Sequence, residues 1–247
     1  MGSMLALKVG EQPVWVDGQQ GVTLPTEACA PNGRFDVKSK LESGLFLSKK
    51  GSFFKPLSGE ERKRAYLELY GEARRYLEER LWLGLHISHG TLLGAVREGD
   101  FIPHDDDFDA LYLSRQATLQ GVIGEREAVL EVLGDAFKVS KGKTGHIKVK
   151  GKGVRLDIMP AWFDGEHLNI ASFTSMPVNS GWDDIAFHTL VGAEVTSLAC
   201  FEDFLIHQYG ANWRTPDPTY RSKRKTQKEK FHRENLGEWY LTYKELY

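Results

Sequence analysis

Cysteine is scarce in this sequence: two residues, Cys29 and Cys200, stand far apart among 247. That spacing excludes a disulfide framework or a zinc knuckle, and both read as ordinary buried thiols. Charge of one sign is also missing. The formal net charge is −2, which leaves no whole-chain case for nucleic-acid binding. No apolar run approaches the roughly 20 residues of a membrane-spanning helix. No internal repeat and no signal peptide is visible. The opening Met1-Gly2-Ser3-Met4 reads as an expression scar ahead of a native Met4. A soluble chain follows as the expectation, cytoplasmic or peripheral to a membrane. What is present is balanced, with 41% hydrophobic and 27% charged residues, the composition of a globular protein with a real core. One large α/β domain with an appendage, or two small domains, fits the length.

Residues 13–24 alternate around Asp17-Gly18 and suggest a small hairpin. Residues 1–57 otherwise read as an irregular extension. The first strong element is a helix over about 59–83. Ser58 and Glu61 have capping-box spacing, and Tyr66, Leu69, Tyr70, Ala73, Tyr76, Leu77 and Leu81 recur at helical intervals. An apolar step follows at Leu85-His86-Ile87, then a short helix over 92–97. A strand is expected over Ala110–Leu113, a helix over 116–134, and strands over 137–140, 145–150 and 154–159. A last helix covers 198–209, with Gly210 as its terminator. Strands mixed with helices indicate an α/β or α+β domain. Residues 221–230 form a basic tail, either a solvated helix face or an attractor of an anionic acceptor.

The chemistry concentrates in His104-Asp105-Asp106-Asp107-Phe108-Asp109. Four carboxylates in five positions repel one another, and the run enters a hydrophobic strand, so burial is forced on it. A solvated acidic loop is the plain alternative. A structural Ca²⁺ loop lacks its Gly and terminal Glu here. In a strand, Asp105, Asp107 and Asp109 share a face. Carboxylates on a strand edge make a hard-oxygen site that suits Mg²⁺ or Mn²⁺ together with phosphate. In Val154-Arg155-Leu156-Asp157-Ile158, Arg155 and Asp157 face away from three apolar residues. A lone Asp there is costly unless it meets a cation. Asp157 completes the site if its strand lies beside that of Asp107 and Asp109.

Ser88-His89-Gly90-Thr91 precedes the short helix, where backbone N–H groups and the helix dipole favour an anion. Arg97 is a candidate for the same phosphate. His146, Lys148 and Lys150 share one strand face, either lining a donor or acceptor groove or simply exposed. His104 is a candidate to support the site from behind its ligands or to contact a base. Trp162 and Phe163 are candidates to stack an aromatic ligand, or else belong to the core, as Trp213 does.

His89 through Arg97, then Gly99 through Asp109, resemble the signature of the LicD family, which includes bacterial phosphocholine transferases and has the fukutin and fukutin-related ribitol-phosphate transferases as relatives. Leu156-Asp157-Ile158-Met159-Pro160 resembles its second acidic block. Phe204-Leu205, Tyr209 through Trp213, and Pro216 or Pro218 resemble its C-terminal block. His104 stands where the family usually has Trp. The resemblance spans about 65–220. It implies an α+β fold, a nucleotidyltransferase-like mixed sheet flanked by helices, over a catalytic domain of 58–220 between the extension 1–57 and the tail 221–247. It further implies a CDP-linked donor and transfer of a phospho-linked group to a glycan or lipid-linked glycan, with CMP released. A nucleotidyltransferase that releases pyrophosphate would use the same carboxylates. A non-catalytic binding module is the third possibility, although all four carboxylates are present.

Overall fold

A computed structural model describes residues 3–6, 8–9, 12–13, 21–24, 40, 43–47, 53–54, 59–102, 105, 107–142, 145–171 and 174–217. In the extension, β1 (Ser3–Ala6) pairs with β4 (Gly21–Leu24), and β2 (Lys8–Val9) with β3 (Gln12–Pro13). Residues 21–24 thus take their partner from upstream of 13; Asp17 and Gly18 lie outside the described residues. A further pair joins β5 (Phe46–Leu47) to β6 (Phe53–Phe54). The tail 221–247 and His104 also lie outside the described residues.

Helix α1 spans Glu60–Leu81. Glu60 and Glu61 in its first turn and Arg80 in its last suit the helix dipole. Tyr66, Leu69, Tyr70, Ala73 and Leu77 form its buried stripe, as the helical period requires. Its N-cap is Gly59, with no side-chain cap; Ser58 lies outside the described residues. The helix ends on Trp82 in the left-handed conformation, φ 56°.

A seven-stranded mixed sheet forms the centre. Strand β7 (Leu85–Ile87) runs antiparallel to β8 (Phe108–Leu113), with α2 (His89–Glu98) between them in sequence. Strand β8 pairs in parallel with β11 (Val154–Phe163). On its other edge, β11 pairs first with β10 (Ile147–Gly151) and then with β12 (His167–Ile170). Strands β9 (Lys138–Lys141) and β13 (Thr174–Pro177) lie outside these. A hairpin of β14 (Ile185–Leu190) and β15 (Ala193–Leu198) and helix α4 (Phe201–Tyr209) complete the described chain.

The α+β architecture agrees with expectation, a mixed sheet with helices against it. Helices α1 and α3 (Leu119–Gly134) pack on one face. There Phe108 stacks at 6.0 Å on Tyr66 and 5.1 Å on Tyr70. Trp162 is buried with Val122 and Ala171, so it belongs to the core. Trp213 is buried as well. The opposite face of β8 and β11 carries the acidic side chains.

Candidate active site

Alternation on β8 sends Phe108 into the helical layer and Asp109 to the other side. On β11 the same rule separates Leu156 and Ile158 from Arg155 and Asp157. The parallel register sets Asp157 directly beside Asp109 and Leu156 beside Phe108. Neighbouring strands lie about 4.8 Å apart, so the two carboxylates are adjacent although 48 residues separate them in sequence. One row further, Lys148 stands opposite Asp157 on β10.

The start of α2 closes this row from above. The Ser88 N–H donates to the Asp109 carbonyl at 3.1 Å, and the Asp109 N–H donates to Thr91 Oγ1 at 2.9 Å. These two bonds lock the helix start to the start of β8. The Gly90 N–H then donates to Asp109 Oδ2 at 3.3 Å. A Cβ on Gly90 would fall 2.5 Å from Asp105 Oδ2 and 3.6 Å from Asp109 Oδ2. Only glycine lets the backbone approach two carboxylates this closely. His89 has a φ of 43°, a strained value for a residue with a side chain. Its ring sits edge-on to Phe204 at 5.0 Å.

Burial, and then the charges of Asp107, Asp105 and Asp157, push the Asp109 carboxyl well above the ordinary range, against the pull of the Gly90 N–H. All four acidic residues therefore act on one point in space. Arg155 partly relieves them. Its Nη2 donates to Asp157 Oδ2 at 3.3 Å and to Asp107 Oδ2 at 3.5 Å. Its Nε lies 2.8 Å from Asp157 Oδ1, but off the hydrogen-bonding direction, so that buried oxygen has no hydrogen bond. The guanidinium is nevertheless the cation in contact with that oxygen. The hard-oxygen donor set around it suits Mg²⁺ or Mn²⁺. Among the described residues, however, no three acidic, His or Cys groups stand at metal-ligand spacing; the Asp157 carboxylate is turned to Arg155.

His146 Nε2 lies 3.5 Å from Asp157 Oδ2. Burial holds its imidazole below the ordinary value, with Asp157 working the other way. Lys148 is half-buried beside it, while Lys150 is exposed. Arg97 is not brought to this group. It lies seven residues along α2 from Gly90, about 10 Å, and its guanidinium binds Glu98 at 2.5 Å. Phe163 packs 5.3 Å from Trp182. The sequence reading assigned no role to Arg155 or His89. The signal for Arg155 was its position two residues before Asp157 on a strand, which puts both on one face.

The model of the LicD/FKTN/FKRP nucleotidyltransferase domain matches residues 83–188, from the start of β7 into β14. No curated protein matches the chain. Among solved structures, ANT(2")-Ia in complex with adenylyl-2"-tobramycin is 21% identical, with 75% of this chain and 99% of that chain covered and a TM-score of 0.38. A putative nucleotidyltransferase from Thermotoga maritima is 13% identical over 57% of this chain and 81% of that one, with a TM-score of 0.32. No helix among the described residues is long and apolar enough to cross a membrane.

Proposed function

We propose that this chain, which carries a nucleotidyltransferase domain of the LicD/FKTN/FKRP family at residues 83–188, is a metal-dependent phosphotransferase. It takes a phospho-linked group, phosphocholine or a polyol phosphate, from a CDP-activated donor to a glycan hydroxyl and releases CMP. The family domain gives a transferase; the donor, the metal and the acceptor are this reading's own. The observation that carries it is the register that sets Asp157 beside Asp109, under the Gly90 N–H.

Asp105, Asp107, Asp109 and Asp157 would hold the divalent ions. Such ions supply charge neutralisation at the diphosphate and a lowered pKa at the acceptor hydroxyl. Phosphoryl transfer needs little else beyond positioning. The start of α2, with Gly90 and Thr91, offers a backbone cradle for phosphate oxygens. Lys148 and His146 border the same row and would hold the donor from the β10 side. Asp157, the carboxylate flanked by His146 and Arg155, is the candidate to accept the acceptor's proton. Arg97 and His104 remain candidates for the donor's more distant parts.

Incubation with CDP-choline, CDP-ribitol or CDP-glycerol and Mg²⁺ tests this. A rise in melting temperature identifies the donor that binds the native state, and product analysis identifies the reaction. CMP supports the proposal; pyrophosphate from a nucleoside triphosphate assigns a nucleotidyltransferase instead. Asp157→Asn should abolish turnover and leave the fold intact. A fully active Asp157→Asn protein removes Asp157 from the mechanism.

A further inference from the structure

Two neighbouring rows of the central sheet differ in how they handle charge. In one, Lys148 on β10 stands opposite Asp157 on β11, the pairing of unlike charges that a sheet favours. In the next, Lys150 stands opposite Arg155 on β11 and, on its other side, opposite Lys138 on β9. Cations thus stand side by side across three strands, and like charges directly opposite one another destabilise a sheet. Their neighbours fix the face. Phe137 packs on Tyr76 of α1 at 6.0 Å, and Val149 is fully buried. Lys138, Lys150 and Arg155 therefore share the face that carries the acidic pocket.

Lys138, Ser140 and Lys150 are exposed there. Arg155, at the inner end, is committed to Asp157 at 2.8 Å and Asp107 at 3.5 Å. Lys141 is held by Glu127 at 2.8 Å, and Lys152 by Glu72 at 3.2 Å. Among the described residues, neither Lys138 nor Lys150 has an ion-pair partner. Lysine on an outermost strand such as β9 can serve to block aggregation. That account does not reach Lys150, because β10 lies inside the sheet, between β9 and β11.

We propose that Lys138 and Lys150 form a track for an anionic acceptor, a glycan that carries phosphate groups, leading from β9 to the rim of the acidic pocket. That the ligand is the acceptor rests on the proposed transferase function; the anion track rests on the register and the exposure of the lysines. Two strand spacings, about 10 Å, separate Lys138 from Arg155. The row ends at the outermost described strand on its side, so it suits a chain that continues past the protein rather than a small donor enclosed by the pocket. Exposed ammonium groups meet phosphate as point charges, with no fixed fork to satisfy. The proposed reaction leaves a phosphodiester on its product, so glycans of this class are anionic. A phosphate between Lys138 and Lys150 would offset the repulsion that their register imposes.

Phosphorylated dextran is the probe, titrated by calorimetry with EDTA present so that no metal enters the measurement. The wild-type chain should bind it, with affinity falling as salt rises, and should not bind neutral dextran. Lys138→Gln/Lys150→Gln should bind it about ten-fold more weakly, the sum of two exposed ion contacts, and should lose part of the salt dependence. Lys141→Gln/Lys152→Gln removes the same formal charge outside the row and should bind as wild type does. A wild-type chain that does not bind phosphorylated dextran overturns the proposal, as does equal weakening in the two double variants or none in the first. Single-stranded DNA bound as tightly as phosphorylated dextran would assign the row to nucleic acid and overturn it too. If Lys138→Gln/Lys150→Gln does not fold by circular dichroism, Lys150→Gln alone carries the test: binding should weaken about three-fold, and unchanged binding overturns the proposal. Binding that depends on both lysines, in a chain that transfers nothing from any CDP-linked donor, would leave the track standing and refute the transferase reading instead.

Discussion

Phe108 and Asp109 are neighbours in sequence and opposites in environment. So are Leu156 and Asp157, one strand away. Phe108, Leu156 and Ile158 are fully buried under α1 and α3, where rings and aliphatic chains interlock. Asp109 and Asp157 occupy the other face, where acidic groups crowd and one buried oxygen has no hydrogen bond. The two faces belong to the same strands and share one backbone ladder. The helical face stabilises the fold, and the acidic face crowds like charges. The first makes the second possible, because a rigid sheet fixes the spacing of groups that repel.

Substitutions at adjacent positions separate the two roles. If Asp109 holds the proposed metal, Asp109→Asn should lower turnover by about a thousand-fold or more. Its melting temperature should stay level or rise, because one crowded charge is gone. Phe108→Ala should do the reverse and cost about 3–5 kcal/mol of stability, read by urea unfolding. Equal loss of stability in both variants would end the division of labour between the faces.

The next effect depends on pH. His86 on β7 is buried, with Nδ1 3.0 Å from Thr196 Oγ1. Burial, with Arg74 adding to it, lowers its pKa from 6.5 to about 4. Between those values the unfolded chain binds a proton that the folded chain refuses. Stability therefore falls as pH drops from 6.5 to about 4, by about 3 kcal/mol from this group, and the loss levels off below. Unfolding curves across that window should flatten in His86→Gln. An unchanged slope would show that another group governs it.

Gly90→Ala is a smaller lesion on the acidic face. Its new Cβ would meet Asp105 Oδ2 at 2.5 Å, and the carboxylate must move. A shift of that size should cost roughly ten- to a hundred-fold in turnover, with little change in stability. Normal turnover in this variant would take the start of α2 out of the site. The smallest expected change lies far from both faces. Trp82 is 84% exposed and left-handed, so Trp82→Gly should add about 0.5–1 kcal/mol, seen as a raised melting temperature. A fall would mean that its ring packs in solution.

Much of this arrangement was legible in the sequence. The stripe of α1 follows from period alone, as does the burial of alternate residues on β11. Asp157 was identifiable because a carboxylate between apolar neighbours is costly. Its pairing with β8 was not legible, since nothing local fixes a register across 48 residues. The segment from 167 to 198 gave no readable strands. Strand β12 buries Asn169, whose Nδ2 donates to Asp164 Oδ2 at 2.8 Å; a tertiary contact there overrides the polar signal. On the last hairpin, Phe187 is exposed while Thr196 and Ser197 are buried, the reverse of what hydropathy suggests. Its turn is made by Val191 and Gly192, both at positive φ, and valine there is a poor sequence cue.

The central claim is that β8 and β11 together gather a divalent cation, and one titration tests it directly. Mn²⁺ added to the wild-type chain should give saturable binding by calorimetry, and Asp157→Asn, still folded, should lose it. Equal binding by both proteins, or none by the wild type, would contradict the account.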